Sequence, residues 1–291
     1  MLLRNGHLVD PGQAIDGVTD IRIEGDHIAE VGPDLPVKPG EEMMDLAGLY
    51  VIPGLIDLHV HLRDPGHEDS EDLESGSRAA IAGGFTTVVA MPNTDPVIDN
   101  VPMATYIQEK SRRLGYADVI PSAAITKGEM GKEITEIGML KEAGVPAFTD
   151  DGKTVMDAGV LRNAMDYGVP FDVLFMEHCE DPYLRDRGVM NAGQVATELG
   201  LFGAPKEAEE IIIMRDIMLA ELTGARLHIQ HLSTARGLDM VRTAKAKGLP
   251  VSCEVTPHHL FLTEETVRGY NTLAKVAPPL RTAEDLSLIH I

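Results

Sequence analysis

Two histidines stand two residues apart at the end of an apolar run, in "GLIDLHVHLRDPG", residues 54–66. Read as a strand, the run points His59 and His61 to the same face, because side chains alternate along extended backbone. Two neutral imidazoles side by side can share a metal ion. Later apolar runs also finish in polar residues: Met91-Pro92-Asn93-Thr94, Thr149-Asp150-Asp151-Gly152, Glu177-His178-Cys179-Glu180, Gln230-His231-Leu232-Ser233 and Thr256-Pro257-His258-His259. Four imidazoles and a carboxylate exceed what one tetrahedral zinc takes, and suit two metal ions about 3.5–4 Å apart with a bridging carboxylate. Such a pair lowers the pKa of a shared hydroxide, which then attacks amide, ester or phosphoryl centres near neutral pH. Arg63 offers a planar fork for a carboxylate, and Asn93 offers both a donor and an acceptor. The chemistry read from these residues is hydrolysis of a small amide that bears a carboxylate. Neighbouring strand residues face opposite ways, so only one of Asp150 and Asp151 can enter such a site.

These residues share a site only if the elements carrying them converge. Seven strand-like runs ("GLIDLHVHL", "GFTTVVAMPN", "ADVIPSAAIT", "VPAFTDDG", "FDVLFMEHCE", "RLHIQHLS", "LPVSCEVTPHH") alternate with helix-like stretches, several of which end in Gly. Near-continuous apolar strands alternating with helices imply a parallel sheet. The unbroken pattern, with no glycine-rich dinucleotide fingerprint after any strand, predicts an α/β fold of the (β/α)8 TIM-like barrel type, with about seven of eight strands present. All strand C-termini then meet at one mouth. Residues 1–52 differ: short alternating segments split by Gly, Asp and Pro predict a small β-sandwich part-domain, with "IEGDHIAEVG" as two strands joined at Gly-Asp. The barrel is expected over 53–285.

Composition narrows the function. The chain has 291 residues, 46 acidic against 25 basic side chains and a formal charge of −21. Nucleic acid or an anionic membrane surface would be repelled. The expected partners are a small anionic substrate and further copies of the chain. Two cysteines, Cys179 and Cys253, are too few for a disulfide framework and suit a reducing cytoplasm. No run approaches the ~18 apolar residues of a membrane span. Cys179 beside His178 is expected to be a small buried hydrophobe. His258 and His259 are expected to be hydrogen-bonded structural histidines, and His7, His27, His67 and His228 ordinary ones. The run "GHEDSEDLESGS" reads as a solvated loop and helix start.

"DLHVHLRDPG", "EDLESGSRAAIAGGFTTVVAMPNT", "FTDDG", "MEHCED", "HIQHLST", "EVTPHHL" and "PPLR" together resemble bacterial class I dihydroorotases of the amidohydrolase superfamily, from about Pro53 to Arg281. The resemblance implies reversible cyclisation of N-carbamoyl-L-aspartate to L-dihydroorotate, a step of pyrimidine synthesis. It implies two Zn2+ per subunit, bridged by Asp151 and a hydroxide: His59 and His61 on the first, His178 and His231 on the second. His61, Arg63 and Asn93 would bind substrate. Hydantoinases and allantoinases of the superfamily commonly bridge with a carboxylated lysine, and strand four here has no lysine before Lys153. A third reading is an inactive partner of aspartate transcarbamoylase, which would be expected to have lost metal ligands. The family pattern often has Asn where this chain has Ala277, which removes one substrate hydrogen bond. After Arg281 the family continues to an eighth strand bearing the general acid/base Asp, expected beyond residue 291. "LSLIHI" is what one frame of a common sequencing adapter encodes, so 286–291 are expected to be an adapter-derived tail on a C-terminally truncated chain.

Overall fold

A computed structural model describes residues 1–290. The chain divides into two compact units, Met1–Leu55 and a second beginning at Ile56. The first unit is a five-stranded sheet. Strand β1 (Leu2–Asp10) lies antiparallel to β2 (Ile15–Glu24), and β2 is antiparallel to β3 (His27–Gly32). The short strands β4 (Met43–Asp45) and β5 (Tyr50–Val51) pair parallel to β1. The Gly25-Asp26 turn joins β2 to β3, with Gly25 at φ 63°, which only glycine adopts freely. Leu2, Leu8 and Ile21 form its buried side.

In the second unit strands and helices alternate. In chain order they are β6 (Leu55–Val60), α1 (Leu73–Ala82), β7 (Phe85–Ala90), α2 (Val101–Leu114), β8 (Asp118–Pro121), α3 (Ile137–Glu142), β9 (Ala147–Phe148), α4 (Ala158–Gly168) and β10 (Leu174–Glu177). There follow α5 (Pro182–Arg185), β11 (Met190–Asn191), α6 (Gln194–Leu199), β12 (Gly203–Ala204), α7 (Glu207–Thr223), β13 (Arg226–Ile229), α8 (Ala235–Ala246), β14 (Val251–Cys253), α9 (Pro257–Phe261) and α10 (Ala283–His290). Asp72, Asn100, Asp157 and Thr234 cap α1, α2, α4 and α8 through side-chain oxygens that accept first-turn N–H groups. Asp72 places the helix start expected of the acidic run.

Strands β6, β7 and β8 are hydrogen-bonded neighbours, as are β9, β10, β13 and β14, and a parallel bridge from Ala123 to Phe148 joins the two sets. All seven strand candidates are therefore strands of one TIM-barrel sheet. The sheet curls until Glu254, just after β14, lies 2.6 Å from His59 on β6. Among the described residues these two strands share no ladder, and a cavity of about 750 Å³ lies along the seam, lined by Ile56, Leu58, Phe85, Val255 and Val276. The main core, with Phe148, Leu161, Met165, Phe175, Ile213 and Leu227, packs strands against helices.

The excursion β11–α6–β12, with its own small core of Met190, Val195, Val267 and Leu280, is absent from the sequence reading. Its strands are two residues long and its helix six, too short for periodicity to register.

Candidate metal centre

His59 lies on β6 and His61 just beyond it, their ring centroids 5.2 Å apart on one face. Asp151 follows β9, His178 follows β10, and His231 follows β13. These five form two overlapping triads: His59, His61 and Asp151, then Asp151, His178 and His231, with the offered ligand atoms of each triad within 4.8 Å of one another. Asp151 Oδ1 is buried and has no hydrogen-bond partner. Around it stand His59 Nε2 at 3.5 Å, His231 Nε2 at 3.8 Å and His178 Nδ1 at 3.9 Å. His61 Nε2 is 3.3 Å from Asp151 Oδ2. Those separations are long for hydrogen bonds. They suit donor atoms about 3.3 Å or more apart around zinc, with metal–nitrogen bonds near 2.0–2.1 Å. An orphaned buried carboxylate oxygen among imidazole nitrogens fits a shared cation.

Three of the rings have their second nitrogen engaged. His59 Nδ1 donates to Glu254 Oε1, and His61 Nδ1 donates to Asn93 Oδ1 at 3.1 Å. His178 Nε2 faces Glu180 Oε2 at 3.5 Å, which turns its Nδ1 toward the centre. Burial disfavours the charged form of His59, His61, His231 and Asp151, and the balance differs at each. At His59, the nearby carboxylates of Asp151 and Glu254 overcome burial and raise the pKa to about 10. At His61 burial prevails and lowers it to about 4. Burial also lowers His231. Asp151, despite burial, is held well below the usual carboxylate range by the imidazoles of His231 and His59.

His231 has φ 33°, a left-handed backbone that costs a non-glycine residue about 1–3 kcal/mol. Gln230 also reaches the site: its Oε1 accepts from Thr149 Oγ1 at 3.0 Å, and its Nε2 lies 3.3 Å from His59 Nδ1. Two successive residues thus turn to one place, which extended backbone does not allow. Of the aspartate pair, Asp150 points away, accepting from the Thr126 N–H at 3.0 Å and from the Thr126 hydroxyl.

The Arg63 guanidinium makes no hydrogen bond or ion pair among the described residues, although its backbone carbonyl accepts from the His67 N–H at 2.9 Å. Together with Asn93, Arg185 and Ala277 it lines a cavity of about 270 Å³ that opens onto His61, Asp151, His178 and His231. Asn93 has both ends engaged, with Nδ2 donating to the Asp151 carbonyl at 3.3 Å, so its protein contacts brace His61 and Asp151. His259 is a buried structural histidine between Thr256 Oγ1 and the Pro278 carbonyl, as expected. Burial pushes the Cys179 thiol well above its usual range, which removes it as a nucleophile. His228 joins neither ligand triad, is buried, and faces Glu254 Oε2 at 3.2 Å. Glu254, Glu180 and Arg185 were not singled out from sequence. For Glu180 a signal existed, since it sits two residues beyond His178 on the same strand parity.

The family model described as Dihydro-orotase-like matches residues 48–237. Curated dihydroorotases from Pelobacter propionicus, Syntrophotalea carbinolica and Geobacter sulfurreducens are 47%, 50% and 48% identical over 289 residues. Each alignment takes in 99% of this chain and 68% of the relative. Among solved structures, the L-hydantoinase of Arthrobacter aurescens superposes with a TM-score of 0.84 at 22% identity, and a D-hydantoinase from Thermus sp. with 0.75 at 28%. Both superpositions cover 99% of this chain and 65% of the other. No helix among the described residues is long and apolar enough to cross a membrane.

Proposed function

Since the chain belongs to the dihydroorotase-like family of cyclic amidohydrolases, we propose that it carries the metal centre and substrate pocket of an enzyme interconverting N-carbamoyl-L-aspartate and L-dihydroorotate. The observation that carries this reading is Asp151 Oδ1, buried and unpartnered among imidazoles from three other strand ends. In this reading His59 and His61 would hold one zinc ion and His178 and His231 a second, with Asp151 as a ligand shared by both; bound metal would supply Lewis acidity toward the scissile amide carbonyl.

The remaining work falls to the chain's own groups. The free Arg63 guanidinium, next to the ligands, takes the substrate carboxylate through two N–H donors. Asn93 holds the His61 ring by Nδ1 and so keeps its Nε2 lone pair free. Ala277 lines the same cavity and offers no side-chain polar group, so substrate orientation rests on Arg63 and the centre itself. All five expected ligands are present, which favours the enzyme over an inactive partner of aspartate transcarbamoylase. Identity near 47–50% to dihydroorotases favours that substrate over hydantoins. Self-assembly and a cytoplasmic setting, where Cys179 and Cys253 stay reduced, complete the proposal.

The test is competitive ligand binding to the zinc-loaded chain. L-Dihydroorotate and N-carbamoyl-L-aspartate should bind, and hydantoin and allantoin, which lack the carboxylate, should bind far more weakly. Equal binding of hydantoin would refute the substrate assignment.

A further inference from the structure

Glu254 follows β14 and belongs to neither ligand triad. Its carboxylate nevertheless reaches both halves of the centre. Oε1 accepts from His59 Nδ1 at 2.6 Å and from the His231 backbone N–H at 3.3 Å. Oε2 faces His228 Nε2 at 3.2 Å, and the opposite edge of that ring meets Ser252 Oγ at 2.8 Å. The Glu254 side chain is 18% exposed and that of His228 5%, so the network is largely shielded from water.

Two consequences follow from this geometry. An imidazole that donates from Nδ1 presents a lone pair at Nε2, and His59 Nε2 is the atom that faces Asp151 Oδ1 at 3.5 Å. The other two ring supports are weaker, a neutral amide oxygen at 3.1 Å for His61 and a carboxylate at 3.5 Å for His178. Moreover, β6 and β14 share no ladder among the described residues, so the Glu254–His59 hydrogen bond spans the seam of the barrel.

We propose that Glu254 is the positioning residue of the metal centre, fixing the tautomer and angle of His59 across the barrel seam while tying the backbone of His231 to the same carboxylate. His228, held by Ser252, is the brace that keeps Glu254 aimed. The proposal rests on the metal reading above, and the experiment separates the two.

Zinc affinity is measured on the 291-residue chain by competition with a chromophoric chelator, and the Co2+-loaded protein supplies a visible spectrum that reports ligand geometry. The wild type should bind zinc, and failure to do so would overturn the metal reading, and this proposal with it. Glu254→Gln keeps the shape and one acceptor but loses the charge, and should bind zinc about 10-fold more weakly with a shifted Co2+ spectrum. Glu254→Ala should lose about 100-fold. A structural role alone would lower the unfolding temperature of the metal-free chain and leave affinity and spectrum unchanged. Should Glu254→Ala fail to fold, the isosteric Gln variant decides. Folded Glu254→Gln with wild-type zinc affinity and an unchanged Co2+ spectrum would overturn the proposal.

Discussion

Zinc should stabilise this chain in two separable steps. The five candidate ligands come from residues 59 to 231, so neither triad exists in the unfolded chain, and binding free energy would add to folding free energy. At free zinc of 100 times Kd each site contributes about 2.7 kcal/mol, hence about 5 kcal/mol for two. For a unit of this size each kcal/mol moves Tm by about 2–4 °C, so the full shift is about 10–20 °C. His231→Ala removes one member of the Asp151, His178 and His231 triad and leaves His59, His61 and Asp151 in place. That variant should keep roughly half of the zinc-dependent shift, about 5–10 °C. Its metal-free form should also be less stable by about 1 kcal/mol, because His231 Nε2 lies 2.9 Å from His178 Nδ1 and that buried hydrogen bond is lost. Calorimetry with zinc and with a chelator measures both quantities, and elemental analysis counts ions per chain. A full zinc shift in His231→Ala, with two ions still bound, would refute the division into two sites. A wild-type chain whose Tm ignores zinc would refute the centre altogether.

Two further outcomes follow. Glu129 is buried at φ 53° with Oε1 unpartnered, and burial, then the charge of Asp150, raises its pKa from 4.5 to about 7. A carboxyl with a raised folded pKa contributes stability that is complete below pH 4.5 and lost as pH rises through 7. Glu129→Gln should therefore be more stable than wild type above pH 7, by about 3 kcal/mol at ~1.4 kcal/mol per pKa unit, and equal to it below pH 4.5; urea unfolding at both pH values checks this, and a pH-independent difference would sink it. At the pocket, Arg63→Lys keeps the charge but not the fork, and should weaken dihydroorotate binding by about 10- to 100-fold, from the ~1.5–3 kcal/mol of a charge-assisted hydrogen bond. Wild-type affinity in Arg63→Lys alongside failure of Arg63→Met would make Arg63 a point charge.

The parts of the site that could be read in advance are those governed by local periodicity. The two-residue spacing of His59 and His61 put both rings on one face, and the parity of Asp150 and Asp151 required one of them to turn away, as Asp150 does toward Thr126. Strand ends announced themselves by polar residues after apolar runs, so the barrel and the membership of the cluster were legible together. Parity fails at His231. Strand alternation would send it opposite Gln230, and only a left-handed backbone at φ 33° brings both inward. Nothing in "HIQHLST" marks that residue as left-handed, since glycine or asparagine would be the usual sign. The supporting carboxylate was hidden for a different reason. Glu254 and His59 are 195 residues apart and become partners only because the sheet curls far enough to bring the end of β14 near β6. The candidate ligands follow from the local order of each strand, whereas the groups that aim them follow from the curl of the whole sheet. A glutamate at a strand end and a histidine such as His228 therefore look ordinary until the barrel is assembled around them.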